Sequence, residues 1–174
     1  MREVPLLSLT CDSSPEDATQ RLVEETFGLV YWANTVVGHA TSLASQLVDS
    51  SWVETFQQLL FAAGEDIDHA TCCITAMDIT WMATMRKDWE GELAPNHGFI
   101  LPGGAPAATR WQEAAAILMQ ARRLFARLAR LAPVNGRIAA FLDEAAFLCF
   151  VQGRRINWQS RYHEIPVDKP SWLE

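Results

Sequence analysis

A chain of 174 residues, 49% of them hydrophobic and with only 9 Gly and 8 Pro, can bury one ordinary core and is too apolar for global disorder. Its formal net charge of -7 excludes general attraction to nucleic-acid backbones or anionic membranes. Residues 1–100 nevertheless carry 15 acids and 4 bases, and residues 101–174 carry 6 acids and 10 bases. That division suits early and late helices with complementary flanks, or two surfaces of opposite sign facing a partner.

The first 13 residues predict a tether, and Ser13 or Ser14 before Pro15 and Glu16 predicts a helix start. Leu22, Thr26, Leu29, Ala33, Val36, Ala40, Leu43 and Leu47 then recur at spacings of three and four, the signature of a helical stripe running to about Val48. Ser51 with Glu54 three residues later has the pattern of a capping box. The following stripe, Phe56, Leu60, Ala63, Ile67, Ala70, Ile74, Met77 and Trp81, keeps its phase across Gly64. It therefore predicts one long helix from about Trp52 to Trp89, roughly 55 Å in length.

Residues 91–109, rich in Gly and Pro, form the longest irregular stretch, and loops of this length are often functional. Phe99, Ile100 and Leu101 within it are expected to fold back onto the core or else to dock a partner. Thr109 with Gln112 suggests a second capping box, before the amphipathic stripe Trp111, Ala114, Leu118, Ala121, Phe125, Leu128 and Ala132. Pro133 stops that helix, and Asn135 caps the next, expected from Gly136 to Gln152 and central because 12 of its residues 138–151 are apolar. Residues 153–174 read as a tail wrapping the body through Ile156, Trp158, Tyr162 and Trp172. The chain is thus expected to be a single all-α domain, a bundle of about four main helices, two long and two shorter, with an irregular C-terminal tail.

Acids inside apolar helices are the informative exceptions, because a buried charge must be paired, metallated or neutralised. Asp143 and Glu144 are the two polar residues in the apolar run 138–151, and Asp78 is flanked by Ile74, Trp81 and Met82 at helical spacing. These three are the pocket candidates; pairing with arginines such as Arg122 or Arg127 is the simpler account of them. A dinuclear carboxylate site calls for two Glu-x-x-His pairs on facing helices. Asp66 and His69 are one imperfect counterpart, and His39 has Val36 where an acid is needed. Asp66, His69 and Cys73 share a face, but one helix seldom supplies a whole metal site.

Cys11, Cys72, Cys73 and Cys149 lack CxxC spacing and no secretory segment opens the chain, which suggests reduced, mostly buried thiols in a cytoplasmic protein. Dinucleotide, Walker and nucleophile-elbow motifs are missing, and Gly103-Gly104 before a helix is a weak phosphate cradle with no strand leading into it. Seven tryptophans are many for this length. Trp158 and Tyr162 sit one turn apart in a basic stretch with Arg154 and Arg155, a cluster suited to stacking on bases or ligand rings, to a protein partner, or to self-packing.

The leading expectation is a non-catalytic helical module binding another protein or itself, as a dimer, through Phe99, Trp158, Tyr162, Arg154 and Arg155. No cofactor, resident metal, membrane or nucleic-acid partner is called for. The alternative is an enzyme or small-molecule binder with a carboxylate-lined pocket between helices, formed by Asp78, Asp143 and Glu144 as acid-base or metal-holding groups.

Overall fold

The computed structural model describes residues 15–69, 71–95 and 98–167. The expected tether, Cys11, the serine caps and Trp172 lie outside the described residues. Among the described residues five helices follow one another: α1 (Pro15–Leu43), α2 (Ser50–Asp68), α3 (Ala76–Glu92), α4 (Pro106–Leu128) and α5 (Arg137–Gln159). The all-α bundle is as expected, but with five helices, since the long helix predicted from Trp52 to Trp89 is two.

Asp66 explains the break. Its carboxylate is fully buried and accepts hydrogen bonds from Thr71 Oγ1 (2.6 Å), the amides of Cys73 (2.6 Å) and Ile74 (2.9 Å), and Asn135 Nδ2 (2.7 Å). These bonds wrap residues 71–74 around the end of α2, competing with the backbone pairing that would continue a helix. Burial alone raises a carboxyl pKa, but the Thr71, Ile74, Cys73 and Asn135 donors outweigh it and hold Asp66 below its ordinary value. The chain then turns back. Trp52 at the start of α2 and Trp89 near the end of α3 have ring centroids 5.0 Å apart, where a continuous helix would separate them by roughly 55 Å.

The caps follow the same logic of local competition. Asp49, not Ser51, caps α2, accepting from the Ser51 amide at 2.9 Å. Asn135 does cap α5, accepting from the Arg137 amide at 3.0 Å while its amide group holds Asp66. Helix α4 starts at Pro106 rather than Thr109, and α5 continues past Gly153 to Gln159.

Within the bundle α1 packs on α4, α4 on α5, α2 against α1, and α3 against α5. The predicted stripe of α4 is buried from Trp111 through Leu128, as are Phe56, Leu60, Ala63 and Ile67 of α2. Met77 and Leu43, placed on stripes by periodicity, are exposed because their helices end or begin beside them. Gly153 permits the close α4–α5 contact: a Cβ there would stand 3.0 Å from the Ala108 carbonyl. Trp52 stacks on Trp111 (5.5 Å) and Arg155 lies over Trp89 (5.1 Å), closing one end of the core with rings. No helix among the described residues is long and apolar enough to cross a membrane.

Candidate functional site

The connection from α3 to α4 is anchored at two points, and between them it carries an exposed ring. The first anchor is Gly103-Gly104. Gly104 has φ of 106°, and a Cβ there would fall 2.1 Å from Asn157 Oδ1. Asn157, buried on α5, accepts from the Ala105 amide (2.9 Å) and donates to the Gly103 carbonyl (2.9 Å). Gln112 of α4 accepts from the Gly103 amide at 2.8 Å. The glycine pair therefore clamps the loop to α4 and α5; with the Gly103 amide already taken, it is no phosphate cradle. The second anchor is an antiparallel bridge at Ile100 and Pro166, in which Leu101 N donates to Ile165 O and Val167 N to Phe99 O, both at 2.8 Å.

Held this way, Phe99 projects from the body with 85% of its surface exposed, and Leu101 is also exposed while Ile100 is half-buried. The fold-back expected of this trio is made by Ile100 alone. Phe99 separates two clefts. One, of about 380 Å³, lies against α4 and α5, walled by Phe99, Ile100, Met119, Phe147 and Phe150 and floored by alanines of α4. Spacing places these side chains together: Ala115, Ala116 and Met119 share one face of α4, and Asp143, Phe147 and Phe150 share one face of α5 at i, i+4 and i+7. Met119 and Phe147 remain 52% and 58% exposed, so this face is open and apolar. The other cleft, of about 580 Å³, is bounded by Phe99, Trp158, Tyr162 and His163, with Arg154 and Glu164 in its wall.

Of the three acids singled out in the sequence, one borders a cleft. Asp143 is exposed at the edge of the α4–α5 cleft and is paired with Arg122 at 3.0 Å. Glu144 points elsewhere: half-buried, it binds Arg86 through Nε and, at 3.3 Å, through Nη2. Arg86 also reaches Glu90 (2.7 Å), and its guanidinium lies 5.8 Å from the centre of the Phe147 ring. The Glu144 hydrogen bond, set against burial, raises the already high pKa of Arg86 and keeps it a permanent cation. Asp78 accepts from the Thr75 amide (2.8 Å) and hydroxyl (2.7 Å), so it is the third-position partner of Thr75, the N-cap of α3, in a capping box. The carboxylates do not converge in one pocket.

Arg154, buried, holds Glu164 through two bonds of 2.8 Å and the Ala94 carbonyl at 2.9 Å, strapping the C-terminal segment to the loop. Arg155 is committed to Glu92 (3.1 Å) and Trp89. Trp158 and Tyr162 are each about half exposed rather than wrapped onto the body. Cys72 and Cys73 are exposed, against expectation; Cys149 is buried, and burial pushes its thiol pKa far up. No group of three or more His, Cys, Asp or Glu positioned for a metal occurs among the described residues.

Of the apolar side chains of the α4–α5 cleft, Phe99 and Ile100 were singled out from the sequence, while Met119, Phe147 and Phe150 on the helices were missed, although a signal existed. A helix with 12 apolar residues in 14 has more apolar surface than one contact can cover. Residues 18–156, which contain the whole cleft, match the family model for cobalamin adenosyltransferase. The chain belongs to this family. Membership in an enzyme family overturns the expectation of a non-catalytic interaction module.

Solved structures share the fold. An arginine-to-lysine variant of a PduO-type ATP:co(I)rrinoid adenosyltransferase from Lactobacillus reuteri, complexed with ATP, superposes with a TM-score of 0.74 at 23% identity, over 84% of this chain and 87% of that one. Two phenylalanine variants of a PduO-type ATP:corrinoid adenosyltransferase from Lactobacillus reuteri, complexed with cobalamin and ATP, give TM-scores of 0.67 at 21% identity. They cover 90% of this chain and 88% and 85% of theirs. No curated protein matches the chain in sequence.

Proposed function

We propose that the protein transfers the adenosyl group of ATP to the cobalt of a reduced corrinoid. The observation carrying this reading is the open apolar cleft between α4 and α5, inside the segment that matches the family and rimmed by Phe99, Met119, Phe147 and Phe150. In the transfer, the electron pair of Co(I) forms a bond to the ribose C5′ while the C5′–O bond breaks. The triphosphate leaves with that bonding pair, and the cobalt becomes formally Co(III) with no other oxidant needed.

Two demands follow, and the chain has residues suited to each. A strongly reducing metal centre must be kept from water, which the mostly apolar walls favour by offering it few polar partners near the macrocycle. A departing triphosphate must be neutralised. Arg122 and Arg123 continue the face of Met119 by one further turn of α4, so they are the cations next to the cleft on that helix. Arg122 now shares its charge with Asp143, and an incoming phosphate would compete for it.

The test is an anaerobic reaction of the protein with ATP and chemically reduced cobalamin, scored by the photolabile Co–C bond, with binding of oxidised cobalamin measured separately. Product formation, reduced about 10- to 1000-fold by replacing Arg122 and Arg123 with Gln, is expected. Corrinoid binding without any Co–C bond would refute the transfer step; no binding at all would refute the site.

A further inference from the structure

The cleft that the proposed transfer uses shares Phe99 and Ile100 with the larger cleft beyond it, which that reaction leaves unassigned. The far wall of this second cleft carries Trp158 and Tyr162, 57% and 51% exposed, the last turn of α5 and the turn after it. Two half-exposed rings beside a third on a backbone-anchored segment form a platform for stacking a flat heterocycle. Hydrogen-bonding capacity lies beside it in His163, while Arg154 is already held by Glu164 and Ala94 and so stiffens the wall rather than binding.

Resting on the corrinoid reading, we infer that this second cleft takes the planar lower base of the corrinoid's nucleotide tail. A complete corrinoid has two flat parts, the macrocycle and the lower base, joined by a flexible chain of amide, phosphodiester and ribose. Two clefts that share Phe99 and Ile100 as a common wall match that division: the macrocycle lies on the Met119 and Phe147 side, and the base on the Trp158 and Tyr162 side. His163 stands on the rim where the phosphodiester passes. The adenine of ATP offers the same flat chemistry, and the experiment separates the two sources.

Equilibrium dialysis would compare cobalamin with cobinamide, which has the macrocycle but lacks the nucleotide tail, on the full chain and on Trp158→Ala, Tyr162→Ala and Phe147→Ala. Trp158 and Tyr162 are exposed enough for alanine to leave the fold intact, which circular dichroism and the thermal midpoint verify. The wild type is expected to hold cobalamin about tenfold more tightly than cobinamide, and Trp158→Ala to abolish that preference while leaving cobinamide affinity unchanged. Phe147→Ala should weaken both ligands alike. Equal affinity of the wild type for the two corrinoids would overturn the inference while leaving the transfer reading intact, and so would a Trp158→Ala loss shared by both. A loss of ATP affinity in Trp158→Ala with corrinoid binding unchanged would overturn it in favour of adenine. Failure of both corrinoids to bind would overturn the corrinoid reading itself.

Discussion

Replacing Gly104 by Ala should unclamp the loop that presents Phe99, and the structure says by how much. At φ of 106° an L side chain costs about 1–2 kcal/mol. The new Cβ would sit 2.1 Å from Asn157 Oδ1 and 2.6 Å from its amide nitrogen, so the Asn157 carboxamide must leave. Its departure removes the bonds to the Ala105 amide and the Gly103 carbonyl, about 1 kcal/mol each if water replaces them and more if it does not. The total is about 3–5 kcal/mol, a large share of the ~5–15 kcal/mol that holds a domain of this kind. Urea denaturation followed by circular dichroism measures it, in a cycle with Asn157→Ala. Because Gly104→Ala and Asn157→Ala destroy the same two bonds, the double variant should lose at least 1.5 kcal/mol less than the sum, roughly the worth of those shared bonds. Strict additivity would refute the clamp, and so would a Gly104→Ala cost below about 1 kcal/mol.

Three further outcomes follow from the same structure. Asp66→Ala leaves several buried donors without an acceptor and should cost about 3 kcal/mol near neutral pH. Since the folded carboxyl titrates below its ordinary value, the stability it contributes is complete above the unfolded pKa of about 4 and is lost as pH falls through the folded value. The gap between wild type and Asp66→Ala should therefore narrow on acidification below about pH 4; a gap that widens there contradicts the assignment. Arg86→Met strands the half-buried Glu144 and removes the cation beside Phe147. It should lower stability by about 2 kcal/mol and corrinoid affinity severalfold, read by denaturation and dialysis. Gly153→Val should separate α4 from α5 and cost about 2–3 kcal/mol in thermal unfolding, because the contacted atom is the Ala108 backbone carbonyl and cannot swing away.

What the sequence made legible was whatever depends on a single helix. The stripe of α4 from Trp111 to Leu128 is buried as its periodicity predicts, and Asn135 caps α5 because a short polar side chain before an apolar run does so locally. The break between α2 and α3 was illegible for the opposite reason. Ile74 stays in phase with Ile67 and is buried, but it reaches the core from a loop folded around Asp66, whose acceptors are filled partly by Asn135, 69 residues away in sequence. Phase continuity is necessary for one long helix and does not exclude a turn that happens to preserve it.

The candidate site was hidden by a similar dependence on distant parts. Asp143 drew attention as an acid in an apolar helix, and it does border the cleft; the residues that form the walls beside it, Phe147 and Phe150, looked like ordinary core because they are apolar. Their exposure follows from the path of the α3–α4 loop, which Asn157 and Gln112 pin at the glycines and Ile165 and Val167 pin at Phe99. A loop free of those anchors would let Phe99 collapse onto Phe147 and Met119 and close the face. Polar side chains on α4 and α5 thus keep an apolar surface open, a relation that runs through tertiary contacts and leaves no periodic trace. That makes Gln112 a sharper probe of the site than any cleft-wall aromatic. Gln112→Leu keeps the helix and the volume but frees the Gly103 amide, so it should reduce corrinoid affinity with little loss of secondary structure, and unchanged affinity would show that the loop needs only its Asn157 anchor.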